Sequence, residues 1–148
     1  MNDMSVPATA LDQSQQEIIE AFALLEDWTD RYQYIIDLGR QLPPFPEAAR
    51  VDANKLHGCQ SQVWMIAERR GDRLYYQAIS DSAIVSGLIA LLLKVYSGRR
   101  PEEILVTQPD FIRKLELHEH LSPTRSNGLN AMVGHIRRFA VNAISDHL

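Results

Sequence analysis

Apolar side chains near the N-terminus recur at the spacing of one helix face. Ile18 and Phe22 stand four positions apart, and residues at that spacing lie above one another on a helix. Ser14, followed three residues later by Glu17, has the spacing of a capping box, in which two side chains satisfy backbone N–H groups at a helix start. The pattern therefore predicts a first helix that begins at Asp12 or Ser14.

A second helical pattern follows with little interruption. It predicts a helix from Asp27 or Thr29 to Gly39, with Ile35 on its buried face. Three prolines within residues 42–46 end this helix, because proline lacks the N–H group that helical hydrogen bonding needs.

Strand-forming residues dominate the next stretch. Residues 60–67 and 74–79 predict two strands, and the charged residues and glycine at 69–72 predict the turn that joins them into an antiparallel hairpin. A third strand is predicted over residues 51–56. The sheet is therefore expected to be small and antiparallel.

An apolar run after the second strand predicts the central helix of the fold. Asp81 and Ser82 are good N-cap residues for a helix over residues 83–96, which is apolar nearly all round. A helix of that kind is buried on every side, so it should form the centre of the core. It is shorter than the roughly 20 residues that a membrane span needs.

Two short helices and one long helix complete the predicted elements. Pro101 and Pro109, each followed by acidic residues, predict the short ones, because proline suits the first helical position and acids favour the N-terminal end of the helix dipole. Ser122 and Pro123 begin the last helix. Its apolar stripe consists of Leu129, Met132, Val133, Ile136, Phe139 and Ala140. Together the elements indicate one α+β domain, a small antiparallel sheet packed with helices.

Composition changes this picture mainly by exclusion. The chain has 148 residues, enough for one domain, and we expect a flexible leader over residues 1–12 and the domain over residues 13–148. A formal net charge of −4, with Lys and Arg spread along the chain, argues against nucleic-acid binding. Five dispersed histidines and one cysteine show no metal-site spacing. No signal peptide is visible, so the expected location is the cytoplasm.

The single cysteine, Cys59, is the main candidate for chemistry, and it excludes an internal disulfide. Most lone cysteines are small core hydrophobes, and this alternative stays open. Cys59 stands, however, in a polar stretch beside Gly58, which suits a tight turn that presents a nucleophilic thiolate. His57 is either the base for this thiol or a solvated surface side chain.

Three motifs at and after Cys59 resemble those of the SufE family. They are GCQSQVW at residues 58–64, SDSAIVSGLIA at residues 80–90 and HLSPTRSNGL at residues 120–129. Residues 34–39 and 42–43 also match the family's N-terminal helix and loop. The resemblance covers about residues 14–145, and CsdE-like paralogues are less similar around residues 60–62. It implies a fold related to the IscU-type scaffolds.

This resemblance implies a sulfur-acceptor protein of iron–sulfur cluster assembly. Cys59 would take persulfide sulfur from a pyridoxal-phosphate-dependent cysteine desulfurase (SufS- or CsdA-like), stimulate that enzyme and pass the sulfur to an iron–sulfur scaffold complex. The chain itself would bind no cofactor and no metal. It would act as a carrier with a reactive cysteine rather than as a stand-alone enzyme, without contact to nucleic acid or membrane.

The resemblance also assigns roles to residues around the cysteine. Arg125 aligns with the family arginine on the last helix, where a guanidinium would stabilise a sulfur anion. The residues expected at the contact with the desulfurase are Gly58, Gln60, Ser61, Gln62 and Asp81. Two plainer alternatives stay open, in which Asp81 is only an N-cap and Arg125 only a surface residue.

Two other functions stay open as well. One is a thiol redox enzyme or sensor that uses Cys59, and the other is an interaction module that activates a desulfurase without carrying sulfur. A persulfide carrier does better with its sulfur sheltered from water and free thiols. We therefore expect Cys59 to be mostly buried at rest, with Leu56, Trp64 and the last helix as walls of its cavity.

Overall fold

The structure, a computed structural model, describes residues 9–147 and confirms an α+β domain in which helices pack around a two-stranded antiparallel sheet. Its elements in chain order are α1 (Ala10–Ala23), α2 (Trp28–Arg40), β1 (Val63–Arg70), β2 (Arg73–Ser80), α3 (Ala83–Tyr96), α4 (Pro101–Val106), α5 (Asp110–Lys114), α6 (Leu117–His120) and α7 (Pro123–His147). Two 3-10 turns, Glu47–Ala49 and Asp52–Asn54, lie between α2 and β1.

Helix α3 lies at the centre of the core. Eleven of its 14 residues are buried, and it packs against α1, α2, α7 and β2. The Ser82 hydroxyl caps it by accepting a hydrogen bond from the N–H of Val85 at 3.3 Å. The predicted bounds and burial of this helix are confirmed, and Ser82 rather than Asp81 is its N-cap.

The hairpin carries the cysteine loop to the start of α3. Strands β1 and β2 pair from Val63 opposite Ser80 to a turn that contains Gly71. Gly71 has a φ of +62°, a left-handed value that glycine adopts without a steric penalty. The predicted hairpin is confirmed, although β1 begins at Val63 instead of residue 60 because residues 60–62 are still loop.

Helix α1 begins earlier than predicted. The Thr9 hydroxyl accepts from the N–H of Asp12 at 3.1 Å, and the Asp12 carboxylate accepts from the N–H of Thr9 at 3.3 Å. This reciprocal pair is the capping box, so the start predicted from Ser14 and Glu17 is wrong. The Ser14 hydroxyl instead accepts from the guanidinium of Arg99 at 2.8 Å.

The predicted leader over residues 1–12 is therefore too long at its C-terminal end. Residues 10–12 are helical, and the Leu11 side chain is fully buried in the core. An apolar side chain of that size stabilises the fold when it leaves water, which holds this first turn against the domain. Residues 1–8 lie outside the described residues.

The third strand predicted over residues 51–56 is wrong. Asp52–Asn54 form a 3-10 turn, and the Asn54 amide donates to the carbonyl of Ala49 at 2.8 Å, which bends the chain back on itself. Only a single bridge, between Lys55 and Trp64, connects this stretch to the hairpin. Four of these six residues are Asp, Ala, Asn and Lys, which are depleted in strands, and the local hydrogen bond already engages the backbone.

The C-terminal elements follow the prediction closely. Helices begin at Pro101, Asp110 and Pro123, and the buried part of the predicted stripe on α7 comprises Leu129, Met132, Ile136 and Ala140. Sequence reasoning missed the one-turn helix α6. None of the helices within residues 9–147 combines the length and the apolar character that crossing a membrane requires.

Two tyrosine hydroxyls hold the C-terminal helices against the rest of the domain. Tyr76 on β2 donates to the carbonyl of Ile136 on α7 at 2.8 Å in a buried contact. Tyr32 on α2 donates to the carbonyl of His120, the last residue of α6. Helix α7 is thus anchored directly to β2, and the short helix that leads into it is anchored to α2.

Helices α2 and α3 cross at very short range. A Cβ atom built on Gly87 would lie 2.0 Å from the carbonyl oxygen of Ile35, and one built on Gly39 would lie 2.6 Å from the backbone nitrogen of Gly87. Both distances are far below van der Waals contact, and backbone atoms cannot rotate out of the way. The two helices therefore pack backbone against backbone at this point.

We expect Gly87→Ala to lower the free energy of unfolding by about 2–3 kcal/mol or more, because the added methyl group overlaps backbone rather than a flexible side chain. Urea denaturation measures the change. The matched control is Gly134→Ala on α7, where nothing lies within 4 Å of the added Cβ. That variant should be stabilised by up to about 1 kcal/mol through helix propensity. Equal midpoints for the two variants would contradict the close crossing.

Candidate functional site

Residues 56–62, here called the cysteine loop, are fixed at both ends. The N–H of Leu56 donates to the carbonyl of Val63 at 2.8 Å. At the other end Gln62 donates its N–H to the Asp81 carboxylate at 3.1 Å, and its carbonyl accepts from the N–H of Asp81 at 3.3 Å. The loop is therefore anchored to the open end of the hairpin and to the start of α3.

Between these anchors the loop lies along one face of α7. The carbonyl of His57 lies 3.1 Å from Nε2 of His135. The Cys59 thiol lies 3.7 Å from the carbonyl of Gly128, to which it donates a weak hydrogen bond. Between them Gly58 approaches Ala131 so closely that a Cβ built on it would lie 3.1 Å from the Ala131 Cβ. Positions 128, 131 and 135 share one helix face, so three consecutive loop residues pack on three consecutive turns.

Gly58 makes this path possible. Its φ is +87°, in the left-handed region that residues with a side chain adopt only with strain. A side chain would also meet α7, since the space above its Cα is filled by Ala131. The tight turn that the sequence predicted at Gly58 is present, and it is the turn that brings the following sulfur towards α7.

The Cys59 sulfur faces a small cavity between the loop, α3 and α7. The space, which is partly open to solvent, is about 10 Å³, and that is about what one water-sized group occupies. Its other lining residues are Gln60, Ser61, Val85, Thr124, Arg125, Gly128, Leu129 and Met132. Cys59 is half-buried, so the expectation of a mostly buried thiol is met only in part.

The cavity walls differ from those predicted. The last helix does contribute, but Leu56 and Trp64 are not among the lining residues. Leu56 joins the main core. Trp64 lies beneath two cations, with the Arg50 guanidinium 4.4 Å and the Lys55 ammonium 5.8 Å from its ring centroid. The expectation that these two chain neighbours of Cys59 line its cavity is therefore wrong.

Burial raises the pKa of the Cys59 thiol above its ordinary value, because the thiolate would lose hydration there. At neutral pH the resting thiol is therefore protonated and a weak nucleophile. Arg125 lines the cavity near the start of α7, and its side chain is exposed. No charged group among the described residues lowers the pKa of the thiol in this conformation.

Asp81 holds the C-terminal end of the cysteine loop. Its carboxylate accepts from the N–H of Gln62, while the neighbouring Ser82 serves as the helix cap. The alternative in which Asp81 is only an N-cap is therefore wrong. Its side chain is also exposed, so the same residue combines a positioning contact with a surface that a partner can reach.

His57 contributes its backbone to the site instead of its imidazole. The side chain is exposed, and the Cys59 thiol donates to Gly128, so the structure gives His57 the surface position that was one of its two alternatives. Sequence reasoning missed Ala131 and His135. The signal for them was their spacing from Gly128 on one helix face, which becomes informative only once the loop is known to lie there.

Within residues 9–147 no group of three or more His, Cys, Asp or Glu side chains is placed to hold a metal ion. The chemistry available here is that of one thiol beside one guanidinium, with polar loop residues around them.

The domain is similar to known proteins over most of its length. A family model described as "SufE: Fe-S metabolism associated domain" matches residues 16–140. An uncharacterized SufE-like protein of Rhizobium meliloti (strain 1021) is 44% identical over 134 residues, which cover 87% of this chain and 93% of that protein. A second, from Rhizobium etli, is 42% identical over 132 residues, which cover 86% of this chain and 89% of the relative.

A solved structure shares the fold. The solution structure of a hypothetical protein from Thermus thermophilus matches with a TM-score of 0.73 and 23% identity, over 89% of this chain and 96% of that one. Likeness at this level of identity concerns the fold alone. The family match over residues 16–140, together with relatives at 42% and 44% identity over most of their length, shows that the chain belongs to the SufE family, whose domain is associated with Fe–S metabolism.

Proposed function

We propose that this protein carries sulfur for iron–sulfur cluster assembly. In this proposal Cys59 accepts the outer sulfur of a persulfide on a cysteine desulfurase, stimulates that enzyme by relieving it of the sulfur, and passes the sulfur to a scaffold complex. Membership of a family associated with Fe–S metabolism supports the role. The observation that carries it is the position of the single thiol at a cavity with room for about one further atom.

The transfer step is a thiol–disulfide exchange in which the oxidation state of the sulfur pair is conserved. The Cys59 thiol gives up its proton, and the thiolate attacks the outer sulfur of the desulfurase persulfide. The sulfur–sulfur bond of that persulfide breaks, and its electron pair leaves with the desulfurase cysteine as a thiolate. Cys59 then holds the persulfide. The pyridoxal phosphate that frees sulfur from cysteine belongs to the desulfurase, and this chain needs no cofactor for its part.

The size of the cavity favours a sulfur atom over a larger substrate. A space of about 10 Å³ takes one water-sized group, so a terminal sulfur on Cys59 fits while an amino acid or a glutathione does not. Val85, Leu129 and Met132 line the apolar side. Such walls keep water and free thiols from a bound persulfide, which protects the sulfur between pick-up and delivery.

The resting conformation shelters the thiol but does not activate it. Burial keeps the pKa of Cys59 raised, so attack on a persulfide requires the loop to leave the cavity or a cation to approach the sulfur. Arg125 lines the same cavity with an exposed side chain. We assign to its guanidinium the stabilisation of the thiolate and persulfide anions during transfer, because charge-assisted contacts of this type are among the stronger ones.

The surface around the loop is suited to contact the desulfurase. Gly58, Gln60, Gln62 and Asp81 are exposed, and Ser61 is partly so. Their polar side chains and the free backbone of the turn offer hydrogen-bond donors and acceptors around the point at which the sulfur must be handed over. We therefore expect the desulfurase to dock on this side of the molecule.

Replacement of Cys59 by Ser should abolish sulfur acceptance and leave the fold intact, with a change in unfolding free energy of about 1 kcal/mol or less. Purified protein is incubated with a SufS-type cysteine desulfurase and free cysteine, and intact mass measurement detects the addition of one sulfur atom. Wild type should gain it and Cys59→Ser should not.

The same assay separates the three candidate functions. If Cys59→Ser still stimulated the desulfurase fully, the protein would be an interaction module that activates the enzyme and not a sulfur carrier. Wild type that gains no sulfur from the desulfurase, yet forms a sulfenic acid with peroxide, would point to a redox role. The raised thiol pKa works against that role, since sulfenic acids form from thiolates.

The raised pKa of Cys59 predicts two effects of pH in the free protein. Alkylation by iodoacetamide should follow an apparent pKa above the about 8.5 of a free thiol. The folded protein also keeps the thiol proton to higher pH than the unfolded chain does. The free energy of unfolding of wild type should therefore fall, relative to Cys59→Ser, as pH rises from the unfolded towards the folded pKa. A wild-type apparent pKa at or below that of free cysteine would contradict the burial.

Arg125→Ala should slow sulfur transfer from the desulfurase by roughly tenfold or more, since a charge-assisted contact is lost in the transition state. Alkylation of Cys59 in the free protein should stay unchanged, because the guanidinium does not act on the resting thiol. Arg125→Lys should restore part of the transfer rate. The matched control is Arg138→Ala, which removes another exposed arginine from α7. An equal loss of transfer rate in the two alanine variants would show that Arg125 contributes only as a general surface charge.

A further inference from the structure

The contacts that hold the cysteine loop on α7 are unequal in kind. Gly128 contributes a backbone carbonyl to the weak contact with the thiol, and Ala131 contributes a methyl group against Gly58. His135 contributes a polar side chain, whose Nε2 lies 3.1 Å from the carbonyl of His57. A carbonyl oxygen can only accept, so Nε2 carries the hydrogen and donates it. Of these three contacts, the one from His135 is the conventional hydrogen bond.

This hydrogen bond lies where it can control the position of the Cys59 sulfur. On the N-terminal side, Leu56 is tied to β1 through the carbonyl of Val63. On the other side stands Gly58, whose left-handed backbone leaves it free to change conformation. The His57 carbonyl therefore lies between a fixed residue and a hinge, two residues before Cys59.

The far end of the loop is tied as well, since both backbone groups of Gln62 are engaged by Asp81. A movement that turns the sulfur outward is therefore confined to residues 57–61. Within that stretch the loop is held by the weak contact of the thiol with Gly128 and by the hydrogen bond of the His57 carbonyl with His135. The stronger of these two bonds is the one from His135, and it engages the residue next to the glycine hinge.

We propose that His135 is a positioning residue that holds the cysteine loop in its inward conformation, and that release of the His57 carbonyl from its imidazole is the step that exposes Cys59. This proposal rests on the sulfur-carrier role proposed above, in which the released thiol reaches the desulfurase. His135 is only partly buried, so a desulfurase that docks around the loop can reach it and compete for the contact. The energy of one hydrogen bond then sets how often the free protein exposes its thiol.

The first test uses the free protein, without any desulfurase. In His135→Ala, alkylation of Cys59 by iodoacetamide should be roughly three- to tenfold faster at neutral pH, the factor that corresponds to losing one ordinary net hydrogen bond. Amide hydrogen exchange of residues 57–61 should rise, while that of β1 stays unchanged. His135→Gln keeps an N–H donor of similar reach and should return both readouts most of the way to wild type.

A matched control removes a histidine elsewhere. His118 is exposed on α6 and lies outside the Cys59 cavity, so His118→Ala should leave alkylation and exchange as in wild type. Urea midpoints of all variants identify any general loss of stability. Unchanged alkylation in His135→Ala would overturn the proposal, and so would an equal acceleration in His118→Ala or a failure of His135→Gln to restore protection.

The second test separates this proposal from the sulfur-carrier role. With a SufS-type desulfurase and cysteine, His135→Ala should lower the KM for the acceptor by roughly three- to tenfold and leave kcat near wild type, because docking no longer has to break the contact. A raised KM together with faster alkylation would contradict the link between release and docking. Wild type that accepts no sulfur at all, while His135→Ala still speeds alkylation, would sink the carrier role and leave the positioning role of His135 standing.

Discussion

The backbone contact between α2 and α3 at Gly87 is the constraint on which the rest of the structure depends. Two helices that cross with no side chain between them have one relative position, since any shift either opens a gap or drives Ile35 into the helix opposite. That position puts α3 in the centre of the core with most of its surface buried. The start of α3 then determines where β2 ends, where Asp81 stands and where the cysteine loop attaches. The site is thus located by a contact on the other side of the central helix.

The cysteine loop differs from this framework in how firmly it is held. Its ends are tied by two hydrogen bonds to backbone groups at 2.8 and 3.3 Å and by one to the Asp81 carboxylate at 3.1 Å. Its middle is held by a weak sulfur contact at 3.7 Å, one exposed hydrogen bond from His135 and the van der Waals contact of Gly58. Segments that carry few buried apolar contacts open without unfolding the domain. The thiol can therefore change its exposure while the core stays intact, which a carrier of a reactive sulfur requires.

The sequence predicted those elements whose signals are local. Helix α3 was found with its correct bounds because Ser82 and the apolar run lie side by side in the chain. Helix α1 was placed too late because the Ser14 pattern and the Thr9 pattern both fit a cap, and only the buried Leu11 distinguishes them. The strand predicted over residues 51–56 is wrong because most of these residue types are depleted in strands and a local hydrogen bond from Asn54 to Ala49 turns the chain. A tertiary contact therefore decides the first case, and the local conformation decides the second.

In the site, too, the residues with a local signal could be predicted and those brought together by the fold could not. Cys59 and Gly58 could be found from the polar stretch of the chain, and Asp81 from the family motif at residues 80–90. The supporting face of α7 could not, because His135 stands 78 residues after His57 in the chain and acquires meaning only when the loop packs on it. The prediction that Leu56 and Trp64 form walls of the cavity is wrong, because residues that are close to Cys59 in the chain need not be close to its sulfur. Leu56 packs in the main core, and Trp64 lies beneath two cations.

Helix α7 carries the groups to which the proposed sulfur-carrier role assigns a part. Leu129 and Met132 form the apolar side of the cavity, Arg125 brings a positive charge to its wall, and His135 holds the loop further along the helix. Because Tyr76 fixes this helix to β2 and Tyr32 fixes the preceding α6 to α2, the proposed movement is that of the loop alone. A partner that contacts both the loop and the start of α7 would find the guanidinium already in place when the sulfur turns outward. In the proposed mechanism, the rotation of a few backbone bonds at Gly58 separates the sheltered thiol from the activated one, so that the thiol stays protonated at rest and ionises on contact with the partner.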